Sequence, residues 1–338
     1  MKTNLKTLLI TASIAVLAAS CGEDDTDFLI PIGETKEIQI DSSVYTHQTY
    51  FDLSTETKVL TVNNSDWDFE VETTGEMKVI KLNPAGSYRF FKTELTDITE
   101  DITLPEDPDW TYDDPSGETD ELAFYGWKDN EVYVLARKIV TYDPTTPSIM
   151  PVAKVSFSHQ SGGIEVKWVL EGETSVNNAV LPGTGSDQPA TWFSFKTQGK
   201  ASVQPPKPDS YDLIITTYTG EVEDGPISFD MDLRGVLTNM LNNTMSYRYD
   251  PGDASDEEYI EIFKNLTRED IDMTEFDDDC DEIGHEWKKF NRNSMSYEID
   301  KSNMYFIKDG AGNLFKIRFT NFYKEGVKGY ITFTYALL

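Results

Sequence analysis

The chain predicts an all-β protein built from two tandem, internally repeated antiparallel β units with one short helix. Three observations predict it. Residues 284–338 read as a meander of short apolar-aromatic runs separated by turn-rich segments. The same meander pattern occurs earlier, at 130–168. Aromatic residues make up 12% of the chain, alongside many Thr, which favours pleated sheet over disorder.

Residues 1–20 are expected to leave the mature protein. Lys2 and Lys6 form a basic start, an apolar run follows, and Ala18-Ala19-Ser20 precede Cys21. The run is too short to cross a bilayer and reads as an export signal. Cys after small residues resembles a bacterial lipobox, so Cys21 is the expected lipidation site and the new N-terminus. Residues 21–36 are an acidic tether, and acidic residues directly behind Cys21 resemble the surface-export signal of Bacteroidetes lipoproteins. With Cys21 lipidated, Cys280 has no disulfide partner. It lies in Asp277-Asp278-Asp279-Cys280-Asp281-Glu282, read as a solvated acidic loop whose carboxylates raise the thiol pKa. The net charge of -31 argues against nucleic acid and anionic lipid as partners.

The first unit is expected at 37–170, a Gly/Ser/Asn/Pro-rich linker at 171–190, and the second unit at 191–338. Ile38, Ile40 and Val44 mark a first strand region. Each unit then opens on an aromatic pair, a turn, a short β run and an aromatic-Asp-apolar strand. In the first these are Tyr50-Phe51 and Trp67-Asp68-Phe69; in the second, Trp192-Phe193 and Tyr211-Asp212-Leu213. Each closes on a meander, with 130–135 matching 302–307, 153–157 matching 315–319, and 162–168 matching 328–334. Along 314–321, Phe315, Ile317 and Phe319 alternate with Leu314, Lys316, Arg318 and Thr320, predicting one apolar and one largely polar face. Between opening and closing lies an insert. The first, 93–119, carries Pro105, Pro108, Pro115 and many acids and reads as a surface loop. The second, 225–282, holds a strand at 227–231 and a helix at 256–265, whose Asp256, Glu257 and Glu258 suit a helix start.

The second half resembles the HmuY family of haem-binding lipoproteins of Bacteroidetes. The resemblance rests on Tyr211-Asp212-Leu213-Ile214-Ile215, Gly235-Val236-Leu237-Thr238-Asn239, and above all Ile283-Gly284-His285-Glu286-Trp287-Lys288-Lys289-Phe290 with the strands after it. Phe51-Asp52-Leu53 and Trp67-Asp68-Phe69 extend it to most of the mature chain. It implies an all-β palm with loops that close on haem. It also implies a non-catalytic carrier on the outer membrane, facing the exterior, that takes haem from host proteins and passes it to an outer-membrane receptor. Family members ligate the iron through two His or Met side chains. Here His47, His159 and His285 fall outside the expected binding loops. Met240, Met245 and Met273 fall in the second insert with Tyr247 and Tyr249 close by, and thioether and phenolate are both haem ligands. The haem-ligand candidates are therefore Met240, Met245, Met273 and Tyr247, against the commoner role of Met as core filler. Motifs for hydrolysis or phosphate binding are absent from the sequence. The alternative is a cell-surface module binding a glycan or a protein through aromatics such as Trp110, Tyr112, Trp127 and Trp192.

Overall fold

The computed structural model describes residues 33–338 except 73–78, 140–147, 184, 186 and 225. Cys21 and the tether as far as Ile32 lie outside the described residues. The strands are β1 (Lys36–Asp41), β2 (His47–Asp52), β3 (Thr57–Asn63), β4 (Phe69–Glu72), β5 (Ile80–Leu82) and β6 (Tyr88–Lys92). Next come β7 (Val132–Lys138), β8 (Ile149–Gln160), β9 (Gly163–Leu170), β10 (Asn177–Pro182), β11 (Ala190–Ser194) and β12 (Gly199–Lys200). The long pair β13 (Leu213–Asp224) and β14 (Ile227–Thr238) leads to β15 (Met245–Tyr249) and helix α1 (Asp256–Asn265). β16 (Lys288–Asn291), β17 (Ser296–Ile299), β18 (Met304–Lys308), β19 (Leu314–Lys324) and β20 (Val327–Leu337) complete the chain.

These strands form two sandwiches. One packs the sheet β10-β9-β8-β7-β6 on the sheet β12-β11-β4-β5; the other packs β1-β20-β19-β18-β15 on β14-β13-β2-β3. The first lobe is thus the continuous stretch 69–200. The second joins 36–63 to 213–337, and β1 against β20 brings its two ends together, with Lys36 opposite Tyr335. This corrects the linear division at 171–190. That segment contains β10, which pairs with β9 from Asn177 opposite Trp168 to Pro182 opposite Gly163. Its Gly and Pro mark tight turns at strand ends and not a gap between lobes. The opening hairpins are exchanged: β2 pairs with β13, and β11 pairs with β4.

The repeated aromatic-Asp motif explains the exchange. Asp212 Oδ2 accepts the Leu53 amide (2.8 Å), and Asp68 Oδ2 accepts the Phe195 amide (2.6 Å). Each motif carboxylate therefore clamps the turn of the hairpin contributed by the other half. The backbones repeat the match, with Asp212 N donating to Phe51 O (2.9 Å) and Asp68 N to Phe193 O (2.8 Å). Asn83 and Asn239 stand at equivalent places, each donating from Nδ2 to the carbonyl before the Asp, Trp67 O and Tyr211 O, both at 2.8 Å.

α1 is capped as its sequence requires, with Ser255 and Glu258 exchanging hydrogen bonds in a capping box. At its other end Lys316 Nζ donates to the carbonyls of Phe263, Lys264 and Leu266 at 2.7–3.0 Å, filling the open acceptors of the last turn. The polar face expected on β19 is present but covered. Lys316 and Arg318 are buried because α1 lies over that side, packing Phe263 and Leu266 against Met304 and Phe306.

A second buried lysine follows from the β16–β17 hairpin. Lys288 Nζ lies 4.4 Å from the Trp287 ring centroid and 5.1 Å from that of Phe322, and donates to Arg234 O (2.5 Å). Burial, and then the Arg234 charge, push its pKa down to about 7. A lysine depressed in the folded state weakens folding fully below about pH 7, and the penalty fades as pH rises through the unfolded-state value. Lys288→Met keeps the bulk and removes the charge. It is expected to raise unfolding stability by about 1–3 kcal/mol at pH 6, with a smaller gain at pH 10, in urea titrations at the two pH values. Equal gains at both would show that the charge is not the cause.

Candidate functional site

A cavity of about 150 Å³ lies between the lobes, where the two repeats face one another. Its walls come from equivalent places in the two halves. β2 and β11 supply Tyr50 and Trp192, the aromatic-Asp motifs supply Trp67 and Tyr211, and the turns after β5 and β14 supply Asn83 and Asn239. Trp67 and Trp192 stack with ring centroids 4.5 Å apart and planes within 3°, and Tyr50 meets Tyr211 edge-on at 5.0 Å. Alternation along β2 and β11 turns Tyr50 and Trp192 away from the sandwich cores that take Phe51 and Phe193.

The roof is where the two inserts meet. Ser116 O accepts the Cys280 amide (2.7 Å), and Asp113, Asp114 and Met240 line the space beneath. Gly117 permits the contact. Its φ is +80°, and a Cβ there would lie 3.0 Å from both Cys280 Sγ and Met240 Cε. The Pro-rich first insert, read as a surface loop, thus forms part of the cavity. Cys280 is likewise half-buried rather than solvated. Its thiol pKa is pushed up to about 11, and burial is the main cause, ahead of the neighbouring carboxylates.

Charge in the cavity is acidic and unevenly paired. Lys81 Nζ forms an ion pair with Glu72 (2.7 Å) and reaches Met240 Sδ at 3.7 Å. Glu70 accepts from Trp192 Nε1 (2.8 Å), yet burial and the nearby Glu72 push its carboxyl up to about 7. Asp113 takes the amides of Leu82 (2.6 Å) and Ala123 (2.8 Å), and burial still raises it to about 6.

The four sequence candidates for iron ligation separate. Met240 lines the cavity on the 3-10 turn Met240–Asn242. Met245 begins β15 and pairs with Lys308. Met273 is exposed on the second insert. Tyr247 is buried against Phe276 and Phe306, its hydroxyl accepting the Asp272 amide (3.1 Å). None of the three histidines lines the cavity. His159 pairs with Asp129 (2.7 Å) and stacks on Trp127, while His285 Nδ1 lies 3.2 Å from the Tyr218 hydroxyl. Trp192, read as an exposed sugar platform, is instead 1% exposed. Among the described residues there is no cluster of three His, Cys, Asp or Glu placed to hold a metal ion, and no helix long and apolar enough to cross a membrane.

Gln48, Trp67, Glu70, Lys81 and Asn239 were not singled out as cavity residues from sequence. The available signal was an Asn opening a turn after the aromatic-Asp strand in each repeat, Asn83-Pro84-Ala85-Gly86 and Asn239-Met240-Leu241-Asn242.

Among curated protein sequences none matches this chain. Among solved structures it is similar to apo PinO from Porphyromonas gingivitis, at 11% identity and a TM-score of 0.36, with 90% of this chain and 97% of that one covered. It is also similar to the apo HmuY analogue TFO of Tannerella forsythia, at 12% identity and a TM-score of 0.23, with coverages of 90% and 97%. Overlays this loose carry no weight beside the sequence. The HmuY protein family profile matches residues 44–335, which takes in both lobes and both inserts. The chain belongs to the HmuY family.

Proposed function

We propose that this protein is a haem carrier, tethered to the outer membrane through lipid on Cys21 and facing the exterior. In this reading it collects haem from host haem proteins and yields it to an outer-membrane receptor, without catalysis. Family membership across both lobes is the observation that carries the proposal. The cavity and its roof support this reading. A thioether, Met240, sits where the two inserts meet, among aromatic walls suited to a flat macrocycle.

The cavity, at about 150 Å³, is well below the roughly 300–1,000 Å³ of pockets that enclose larger ligands. Haem therefore enters at the roof, with the Gly117 loop moving away from Met240 and Cys280. Met245, Met273 and Tyr247 remain the candidates for the second axial position. Of these, Met273 is exposed on the same insert, while Tyr247 must first release the Asp272 amide.

The test is optical. Ferric haem added to the chain lacking residues 1–20 is expected to give a shifted Soret band, with sharp low-spin bands on reduction. Absence of any Soret shift in both redox states overturns the proposal. Met240→Ala is expected to weaken ferrous haem binding roughly tenfold or more, because thioether sulfur favours the reduced iron. Met245→Ala and Met273→Ala, measured beside it, identify the second ligand by loss of the low-spin bands.

A further inference from the structure

The thioether of Met240 is already engaged on two sides. The residue is half-buried on the 3-10 turn Met240–Asn242 and lines the cavity. From the roof, a Cβ added to Gly117 would lie 3.0 Å from Met240 Cε and 3.6 Å from its Sδ. From β5, Lys81 Nζ donates to Met240 Sδ at 3.7 Å. An ammonium has three donors; Glu72, at 2.7 Å, takes one and the sulfur takes a second.

The strands explain the placing. Lys81 is the middle residue of β5 and pairs with Glu70 on β4. Phe69 and Val71 of β4 turn into the sandwich core, so Glu70 and Glu72 share the opposite face with the lysine. Burial acts against the ammonium, but Glu72 and then Glu70 outweigh it and hold the Lys81 pKa above the usual lysine value. Lys81 is therefore charged at neutral pH and is a permanent donor toward the sulfur.

We infer that Lys81 is a latch on Met240, occupying the thioether until it withdraws toward Glu70 and Glu72 and leaves the sulfur to a metal. The inference rests on the reading of Met240 as an iron ligand. A lone pair that accepts an N–H is less available to an electrophile, and an ammonium 3.7 Å from Sδ repels an iron centre bound to that sulfur. Lys81 is thus a positioning residue that acts on haem through Met240, and in the empty carrier it shields the sulfur from oxidants.

The first readout needs no haem. Hydrogen peroxide transfers one oxygen to a thioether, leaving sulfoxide and water, and peptide mass spectrometry follows Met240, Met245 and Met273 separately in the chain lacking residues 1–20. Lys81→Leu is expected to oxidise at Met240 roughly three- to tenfold faster, the worth of one hydrogen bond, with Met245 and Met273 unchanged. Glu72→Gln leaves the ammonium on the sulfur and is expected to oxidise no faster. Lys81→Leu/Glu72→Gln, which strands no buried carboxylate, is expected to match Lys81→Leu. Unchanged oxidation in this double variant overturns the inference. Equal acceleration in Glu72→Gln alone also overturns it, since a looser cavity would then be the cause.

The second readout is ferrous haem binding. The double variant is expected to bind roughly tenfold more tightly than the unaltered chain, and the gain is expected to vanish when Met240→Ala is added. Binding no tighter than that of the unaltered chain, or a gain that survives Met240→Ala, overturns the latch. If no chain binds haem while the oxidation pattern holds, the carrier proposal fails and the contact between Lys81 and Met240 stands.

Discussion

Trp192→Ala is expected to destabilise the protein by about 3–5 kcal/mol and to divide its unfolding into two transitions. Trp192 is fully buried, stacks on Trp67, lies 5.9 Å from Tyr50, and donates to Glu70. Its cluster draws Tyr50 and Val62 from the second lobe, and Ala201 and Tyr211 from the connection between the lobes. Removing the ring therefore leaves a void between the lobes and strips a buried carboxyl of its donor. Trp168→Ala is the control. Trp168 is equally buried but packs within the first lobe against Phe193 and Phe195. It should cost a similar amount and keep the lobes unfolding together. Circular dichroism and fluorescence in urea distinguish the cases. Coincident transitions for Trp192→Ala, or a loss below roughly 1.5 kcal/mol, would show that the shared cluster does not couple the lobes.

Much of this arrangement is legible in the sequence because strands and turns are local. The closing meanders fall where their alternation places them, as β7 to β9 and β18 to β20, and α1 spans the residues its acidic start predicts. The repeat is equally readable, since Trp67-Asp68-Phe69 and Tyr211-Asp212-Leu213 occupy equivalent positions. Which half each hairpin joins is not readable. Asp212 and Asp68 each hold the other half's hairpin turn through a backbone amide, which has no sequence identity. The cavity stayed hidden for the same reason. Gln48 and Asn239 are far apart in the chain, and only the exchange of hairpins brings them to one space. Met240 was visible as a candidate because its side-chain chemistry is unusual for a loop. Cys280 was misjudged because its acidic neighbours suggest solvent, whereas the first insert covers its thiol.

The second large effect is on pH. Stability is expected to be higher at pH 5 than at pH 7.5, by roughly 2–4 kcal/mol. Four buried or half-buried carboxyls are pushed above the usual range: Glu70 and Asp212 to about 7, Asp113 and Asp281 to about 6. Burial is the first cause in each, and no cation neutralises Asp212, which faces Asp309 and Asp52. Between the unfolded and folded values the native state holds more protons than the unfolded chain. Stability therefore falls as pH rises from about 4 to about 7. The lowered carboxyls, such as Asp300, act in the opposite sense, but their losses begin only as pH drops through the acid end of that window. A net charge of -31 adds in the same direction, because protonation relieves repulsion throughout the fold. Asp212→Asn imitates the protonated state and can still accept the Leu53 amide. It should stabilise the protein at pH 7.5, change little at pH 5, and flatten the profile between them. Thermal melts across pH 4.5–8 read this directly, and a melting temperature that climbs steadily toward neutrality would mean these carboxyls ionise in the fold without penalty.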